Sequence, residues 1–165
     1  MSQSVLDLSK EFAGRRALVT GGSRGIGAAI AQRLLDGGAS VVVVARNRHE
    51  QTPAGATFIK GDILTLEGCK KLVDESIKAL GGLDILVNNA AAAELVLPNS
   101  EAISDAVWQE TIASNLLSVV RVTNAALPAL KRRSSSVRKT ERIGPKTPLL
   151  FTRRSRLRGH AAASA

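Results

Sequence analysis

Over its first 130 residues the chain alternates short apolar runs with longer segments of helical spacing. The apolar runs are predicted strands, and they cover residues 16–20, 41–45, 57–59 and 83–87. The second run is four valines and an alanine, which is typical of a parallel strand buried on both faces. Strands that alternate with helices predict right-handed βαβ units and an open parallel sheet covered on both sides.

Between the predicted strands, apolar residues recur at helical spacing. The predicted helices cover residues 26–36, 66–80, 104–110 and 112–130. Glycine pairs follow the first two helices and end them. The connection at 46–55 is polar and contains a proline, so it is predicted to be a loop or at most one short helical turn. The predicted fold class is α/β, with a partial doubly wound, Rossmann-like parallel sheet.

A glycine-rich turn lies between the first predicted strand and the first predicted helix. It covers residues 20–27 and has the sequence TGGSRGIG. Glycines in this context allow a tight turn, leave room for a pyrophosphate against the backbone, and let the helix pack closely on the strand. Amides at the helix N-terminus then face the phosphate charge. A plain glycine-rich turn is the alternative, but the flanking strand and helix favour nucleotide binding.

Charge is distributed unevenly along the chain. The 165 residues include 23 Lys/Arg and 14 Asp/Glu, for a formal net charge of +9. Residues 1–130 carry a net charge of −1, whereas residues 131–165 carry +10 with a single acid, Glu141. This last segment is rich in Arg, Ser, Pro and Ala and shows no helical or strand period. We expect an incomplete nucleotide-binding domain at 1–130, followed by a basic disordered tail.

Cysteine content and apolar runs bear on the cellular compartment. Cys69 is the only cysteine, so no intrachain disulfide can form and a reducing compartment is favoured. The first 12 residues include Asp7 and Glu11 and lack the apolar core of a signal peptide. No apolar run approaches the roughly 20 residues of a membrane helix. We therefore expect a cytoplasmic protein without a membrane partner, and no metal site is predicted.

Four motifs, in this order, resemble those of the short-chain dehydrogenase/reductase family. They are the glycine turn, Asp62 after the third predicted strand, Asn88-Asn89-Ala90 after the fourth, and Asn115 in Ala113-Ser114-Asn115-Leu116. The resemblance covers about residues 12–130. It implies a nicotinamide cofactor and hydride transfer between that cofactor and a small carbonyl or alcohol substrate.

The resemblance also implies roles for the matching residues. The pyrophosphate and ribose site would be shaped by Thr20, Gly21, Ser23, Arg24, Gly25, Ile26 and Gly27. Asp62 and Ile63 would hold the adenine edge, and a turn or cap residue is the alternative for Asp62. The cofactor would be lined, and the central strand braced, by Asn88, Ala90 and Ala91, the last at a position where the family usually has glycine.

The resemblance gives Asn115 a catalytic role. It matches the asparagine whose backbone holds an ordered water in the family's proton relay. A solvent-facing helical asparagine is the alternative.

The residues after the second predicted strand bear on cofactor choice. A carboxylate there would bind the ribose hydroxyls of NAD, but this chain has Ala45-Arg46-Asn47. Arg24 and Arg46 offer two guanidinium groups, and these planar forks bind phosphate oxygens bidentately. We expect NADP rather than NAD, with two solvated arginines as the alternative.

The groups that perform the family's reaction have no counterpart here. The reaction needs a tyrosine acid/base, a lysine four residues later and a serine that orients the substrate oxygen, and the chain contains no tyrosine. The family's fifth to seventh strands and the pocket they build have no counterpart either.

Three origins of residues 131–165 stay open: a basic tail that binds an acidic partner, an unrelated terminal exon, and a change of reading frame near residue 131.

Three functions are compatible with these patterns. The first is an NADP-dependent oxidoreductase by descent, in a truncated and inactive form. The second is a non-enzymatic nucleotide-binding or interaction protein. The third is nucleic-acid binding through residues 131–165, which is disfavoured because no aromatic residues alternate with the arginines. An uncovered edge at strand 83–87 and apolar surface on helix 112–130 predict homo-oligomers or poor solubility.

Overall fold

The chain folds as a parallel β-sheet with helices on both faces, in a computed structural model that describes residues 8–91, 104–136 and 150–151. The strands are β1 (Arg16–Thr20), β2 (Ser40–Ala45), β3 (Thr57–Lys60), β4 (Ile85–Asn88) and β5 (Leu150–Phe151). The helices are α1 (Gly25–Asp36), α2 (Leu66–Leu80), α3 (Asp105–Ile112) and α4 (Ser118–Ser136). A π-helical segment, Ala113–Leu117, joins α3 to α4.

The strand order places a crossover in the middle of the sheet. The order is β3-β2-β1-β4-β5, and every pairing is parallel. Leu18 of β1 is in register with Val42 of β2 and with Leu86 of β4. The chain therefore builds outward from β1 to β3 and then crosses to the other side of β1. Open α/β sheets bind ligands at such a switch point, outside the carboxyl ends of the strands.

Alternate residues of each strand pack against opposite helical layers. Leu18 and Val42 belong to a core that includes side chains of α2 and α4, such as Leu72 and Val122. Their neighbours Val19 and Val43 belong to the other core, on the side of α1. Because both faces are covered, the strands are apolar along their length. The predicted partial doubly wound α/β fold is confirmed.

An ion pair holds the amino end of β1 against the turn before β4. Arg16 Nε and Nη2 each lie 3.0 Å from an oxygen of Asp84, and Nη1 donates to the carbonyl of Gly81 at 2.7 Å. The Asp84 side chain is only 1% exposed. Its hydrogen bonds raise the pKa of the Arg16 guanidinium above its usual value. This contact fixes the end of the sheet opposite to the switch point.

The helices after residue 104 differ from the sequence-based expectation. Helices predicted at 104–110 and 112–130 form one continuous helical run, because Ala113 keeps right-handed helical dihedrals (φ −61°, ψ −43°). The run then passes Pro128 and ends at Ser136. The expectation that helical structure stops at residue 130 is therefore wrong.

None of the helices in the described part of the chain is long and apolar enough to cross a membrane.

The edge of β4 is also not as expected. Leu150 and Phe151 pair in parallel with Leu86 and Val87 of β4. The expectations of no strand after residue 131 and of an uncovered β4 edge are therefore wrong. Pairing satisfies the backbone donors and acceptors that an edge strand exposes. The remainder of the predicted disordered tail lies outside the described residues, and the boundary at residue 131 stays a prediction.

Candidate functional site

A cleft of about 790 Å³ opens at the carboxyl ends of β1 to β4. This volume lies within the range usual for small-molecule and cofactor sites. Of the residues predicted to bind a cofactor, the cleft is lined by Gly21, Ser23, Arg24, Gly25, Arg46, Asp62, Ile63, Ala90 and Ala91. The switch point therefore brings together side chains from four separate predicted motifs or loops.

The other predicted site residues do not line the cleft. They are Thr20, Ile26, Gly27, Asn88 and Asn115. Ile26 is 75% exposed on α1. The side chain of Asn88 instead donates to Thr123 Oγ1 of α4 at 3.1 Å, and so ties the end of β4 to a helix.

Thr20 and Asn89 hold the glycine turn against the end of β4. Thr20 is 2% exposed, and its Oγ1 accepts from the amides of Asn89 (3.1 Å) and Ala90 (3.2 Å). The Asn89 side chain returns two hydrogen bonds of 3.2 Å, to the carbonyls of Thr20 and Gly21. Asn89 was not assigned a role from the sequence. Its position inside the Asn88-Asn89-Ala90 motif was the only available signal.

Two glycines allow this turn to pack closely. Gly21 has φ +66°, and a Cβ there would lie 2.8 Å from Ala90 Cα. A Cβ on Gly27 would lie 2.1 Å from the carbonyl oxygen of Gly21 and 2.4 Å from Asn89 Nδ2. No side chain fits at either place. The first turn of α1 therefore sits directly against the end of β1, as a phosphate-binding turn requires.

The loop after β2 forms a second wall of the cleft, and its prediction as a loop is confirmed. Its lining residues are Arg46, Asn47, Arg48, His49 and Gln51. Two hydrogen bonds join it to the glycine turn: Gly25 N–H donates to Gln51 Oε1 at 3.0 Å, and Thr52 Oγ1 donates to the Ser23 carbonyl at 3.2 Å. The polar composition of this loop gave no signal for which residues would make these contacts.

The turn after β3 is fixed by Asp62 and by the helices beside it. Asp62 Oδ1 accepts from the amide of Leu64 at 3.0 Å, so its carboxylate stabilises its own turn while the residue lines the cleft. Arg121 of α4 donates to the Leu64 carbonyl at 2.6 Å. Cys69 is fully buried, its thiol donates to the Ile63 carbonyl at 3.2 Å, and burial raises the pKa of that thiol.

Asn115 lies in the π-helical segment beside the cleft. There the amide of Ser118 donates to the carbonyl of Ala113, five residues earlier. Ser118 Oγ also donates to the carbonyl of Ser114 at 2.6 Å. Ser114, the neighbour of Asn115, is 3% exposed and lines the cleft. Because π-helical segments change the register of backbone hydrogen bonds, they are frequent at functional sites.

The charged side chains of the cleft are mainly basic near β1 and β2. Arg24 follows β1, Arg46 and Arg48 follow β2, and the lining carboxylates come from Asp62 and Glu110. Such a basic wall can bind an anionic ligand through charge-assisted hydrogen bonds. Within the described ranges, no three His, Cys, Asp or Glu side chains are close enough to hold a metal ion.

Sequence comparison identifies the family. A family model for short chain dehydrogenases matches residues 15–137. L-fucose dehydrogenase from Oryctolagus cuniculus is 33% identical over 131 residues, which cover 76% of this chain and 46% of that protein. The chain therefore belongs to the short-chain dehydrogenase/reductase family. It spans about half the length of the curated relatives it matches.

Solved structures of related proteins share this architecture. A short chain dehydrogenase from Burkholderia cenocepacia, solved in complex with NADP, is 36% identical with a TM-score of 0.65 over 72% of this chain and 52% of that one. NADH-dependent reductase A1-R′, complexed with NAD, is 28% identical with a TM-score of 0.67 over 76% of this chain and 56% of that one. Solved relatives thus include complexes with NADP as well as a complex with NAD.

Proposed function

We propose that the chain binds NADP in this cleft and derives from an oxidoreductase that transfers hydride to or from a small carbonyl or alcohol. The proposal rests on one observation: the glycine turn, which includes Arg24, lines the same cleft as Arg46. The residue after β2 is an arginine, where a carboxylate would favour the ribose hydroxyls of NAD. The NADP complex of the Burkholderia relative supports the same choice.

The cleft suits a dinucleotide in shape as well as in charge. Gly21 and Gly27 let the glycine turn pack directly against α1 and the end of β4, where side chains would clash. The turn and the N-terminus of α1 would then receive the pyrophosphate. Asp62 and Ile63 would bound the adenine, and Ala90 and Ala91 would line the cofactor beyond the end of β4.

The chain supplies binding and positioning groups for the reaction. A bound nicotinamide supplies or accepts the hydride. The Asn115 backbone would position a water for proton transfer from its π-helical segment. The 165 residues contain no tyrosine to act as acid/base, and an alcohol proton moves slowly at neutral pH without such a group. We therefore expect binding without turnover by this chain.

Titration of the chain with NADPH and NADH, followed by cofactor fluorescence, tests cofactor binding. We expect NADPH to bind more tightly. Tighter binding of NADH would contradict the proposed preference, and binding of neither would contradict the whole assignment. NADPH oxidation with a panel of ketones then separates an active oxidoreductase from the second candidate, a non-enzymatic nucleotide-binding or interaction protein. We expect no oxidation above the rate without protein.

We also propose that the chain self-associates through its helical run. Five large apolar side chains there are exposed, including Trp108 at 54% and Leu116 at 59%. Exposed apolar patches of this kind mark interaction surfaces.

Cys69 is unpaired as well as buried, which fits the reducing cytoplasmic location that we propose.

A further inference from the structure

The side chain of Gln51 caps helix α1 from a distant part of the sequence. Gly25 is the first residue of α1, and its amide donates to Gln51 Oε1 at 3.0 Å. The N-cap residue itself, Arg24, makes no capping hydrogen bond with its side chain. The amides of a first helical turn have no partner within the helix and are usually satisfied by such an N-cap side chain. Here Gln51 performs that function from 26 residues away.

This contact fixes the orientation of the Gln51 carboxamide. A backbone N–H can only donate, so the amide oxygen of Gln51 must face Gly25. The other terminal atom of this planar carboxamide is Nε2, which carries two N–H donors. Among the described residues, none accepts a hydrogen bond from Nε2. Gln51 therefore brings an unused donor to the wall of the cleft that it lines.

The loop that carries Gln51 is held in place independently. Thr52 is 7% exposed, its hydroxyl donates to the Ser23 carbonyl, and it accepts from the amide of His49 at 3.1 Å. The neighbouring residue thus anchors the loop to the glycine turn without help from Gln51. The Gln51 side chain consequently reaches the first residue of α1, which follows Arg24 in sequence, and it shares the lining of the cleft with Arg24 and Arg46.

We propose that Gln51 is a specificity-determining residue that donates from Nε2 to the phosphate on the adenosine ribose of NADP. The proposal rests on the proposed function, because it assumes that NADP occupies the cleft. A hydrogen bond to a charged phosphate oxygen is about twice as strong as one between neutral groups. A neutral ribose hydroxyl in NAD would gain less from the same donor, so Gln51 favours the phosphorylated cofactor.

The substitution Gln51→Glu separates this role from capping. A glutamate oxygen can still accept from Gly25, and a carboxylate at a helix N-terminus is stabilising. The loop should therefore stay docked and the thermal midpoint should not fall. The donor, however, is replaced by a negative charge that repels a dianionic phosphate. We expect the Kd for NADPH to rise at least about tenfold, because like charges at contact distance repel by this order of free energy.

Gln32→Glu is the matched control. Gln32 lies exposed on α1, donates to Asp36, and is not part of the cleft wall. This variant makes the same change of side chain and charge on the helix that Gln51 caps, so it measures the long-range effect of that charge on cofactor affinity. We expect its Kd values for NADPH and NADH to stay close to those of the unmodified chain.

Calorimetric titration of the unmodified chain, Gln51→Glu and Gln32→Glu with NADPH and NADH tests the role of Gln51. A selective loss of NADPH affinity in Gln51→Glu, with NADH binding and thermal midpoint retained, supports the role of Gln51. Retained NADPH affinity, or an equal loss for both dinucleotides, overturns that role while leaving the proposed function in place. An unmodified chain that binds neither dinucleotide, or prefers NADH, overturns the proposed function and with it the role of Gln51.

Discussion

Large apolar side chains differ in burial between two parts of the molecule. One is the βαβ part, residues 8–91, and the other is the helical run, residues 105–136. In the βαβ part, the apolar residues of β1 and β2 are buried almost completely between two helical layers. In the helical run, one side packs on the sheet through residues such as Val122 and Ala126. The other side exposes Trp108, Ile112, Leu116, Leu117 and Val120. The strands of the first part are thus covered on both faces, on one of them with the help of α4, whereas the helical run leaves an apolar side of its own uncovered.

The same contrast applies to polar contacts around the cleft. The glycine turn, the end of β4 and the loop after β2 are tied together by hydrogen bonds from Thr20, Asn89, Gln51 and Thr52. The helical run contributes Glu110 and Ser114 to the cleft. The cleft is therefore built mainly by the βαβ part, and the helical run adds two residues to it while exposing an apolar side elsewhere.

The largest expected effect comes from Gly27→Ala, which should destabilise the βαβ part. Its Cβ would overlap the Gly21 carbonyl, a backbone atom that cannot move away without separating α1 from β1. We expect a loss of about 3 kcal/mol in the free energy of unfolding, together with loss of cofactor binding. Urea denaturation and NADPH titration measure the two effects.

Gly14→Ala is the control for this substitution. Gly14 has φ +68°, but a Cβ there would meet nothing within 4 Å. Only the cost of a left-handed conformation remains, about 1–2 kcal/mol. Equal losses for the two variants would show that close packing of Gly27 does not limit stability.

The double substitution Leu116→Glu, Val120→Glu tests the second part. Both side chains are about half exposed and are four residues apart, so they lie on the same side of the run. We expect the unmodified chain to sediment as a dimer or larger species and the variant to sediment as a monomer, with little change in thermal midpoint. Leu66→Glu changes another exposed leucine, on α2, and should leave the assembly intact. A monomeric unmodified chain would contradict the proposed self-association.

Much of the fold could be predicted because local patterns and tertiary packing agree. The valines of β2 and the glycines of residues 20–27 each have few alternatives once strand and helix flank them. The continuous helical run was missed because the break near residue 111 was inferred from periodicity, which a π-helical segment shifts by one residue. Strand β5 has only two residues and depends on β4 as its template, so no periodicity could reveal it.

The residues that build and line the cleft were predicted unevenly for a related reason. Residues whose role is backbone shape, such as Gly21 and Gly25, belong to a motif with fixed spacing. Asn89 and Gln51 act through side-chain hydrogen bonds to backbone atoms that are distant in sequence. Such contacts depend on where the loops meet in three dimensions, which cannot be predicted from the pattern of a single sequence.

The smallest expected effect concerns Cys69, at the boundary between the two parts. Its thiol is fully buried on α2, and desolvation raises its pKa, although the nearby Arg121 of the helical run acts in the opposite direction. In the unfolded chain the thiol ionises near pH 8.5. Below that pH both states are protonated and the stability is unaffected. Above it the unfolded state loses its proton first, so the stability should fall as the pH rises towards the pKa of the folded state.

Urea midpoints measured from pH 7 to 10 for the unmodified chain and for Cys69→Ala isolate this thiol from other titrating groups. The alanine variant should start from a lower midpoint, because it leaves a small cavity in the core. We expect its free energy of unfolding to fall less steeply with pH, by up to about 1.4 kcal/mol per pH unit. Parallel pH curves would mean that the thiol titrates alike in both states, and that the core between α2 and the helical run admits water to Cys69.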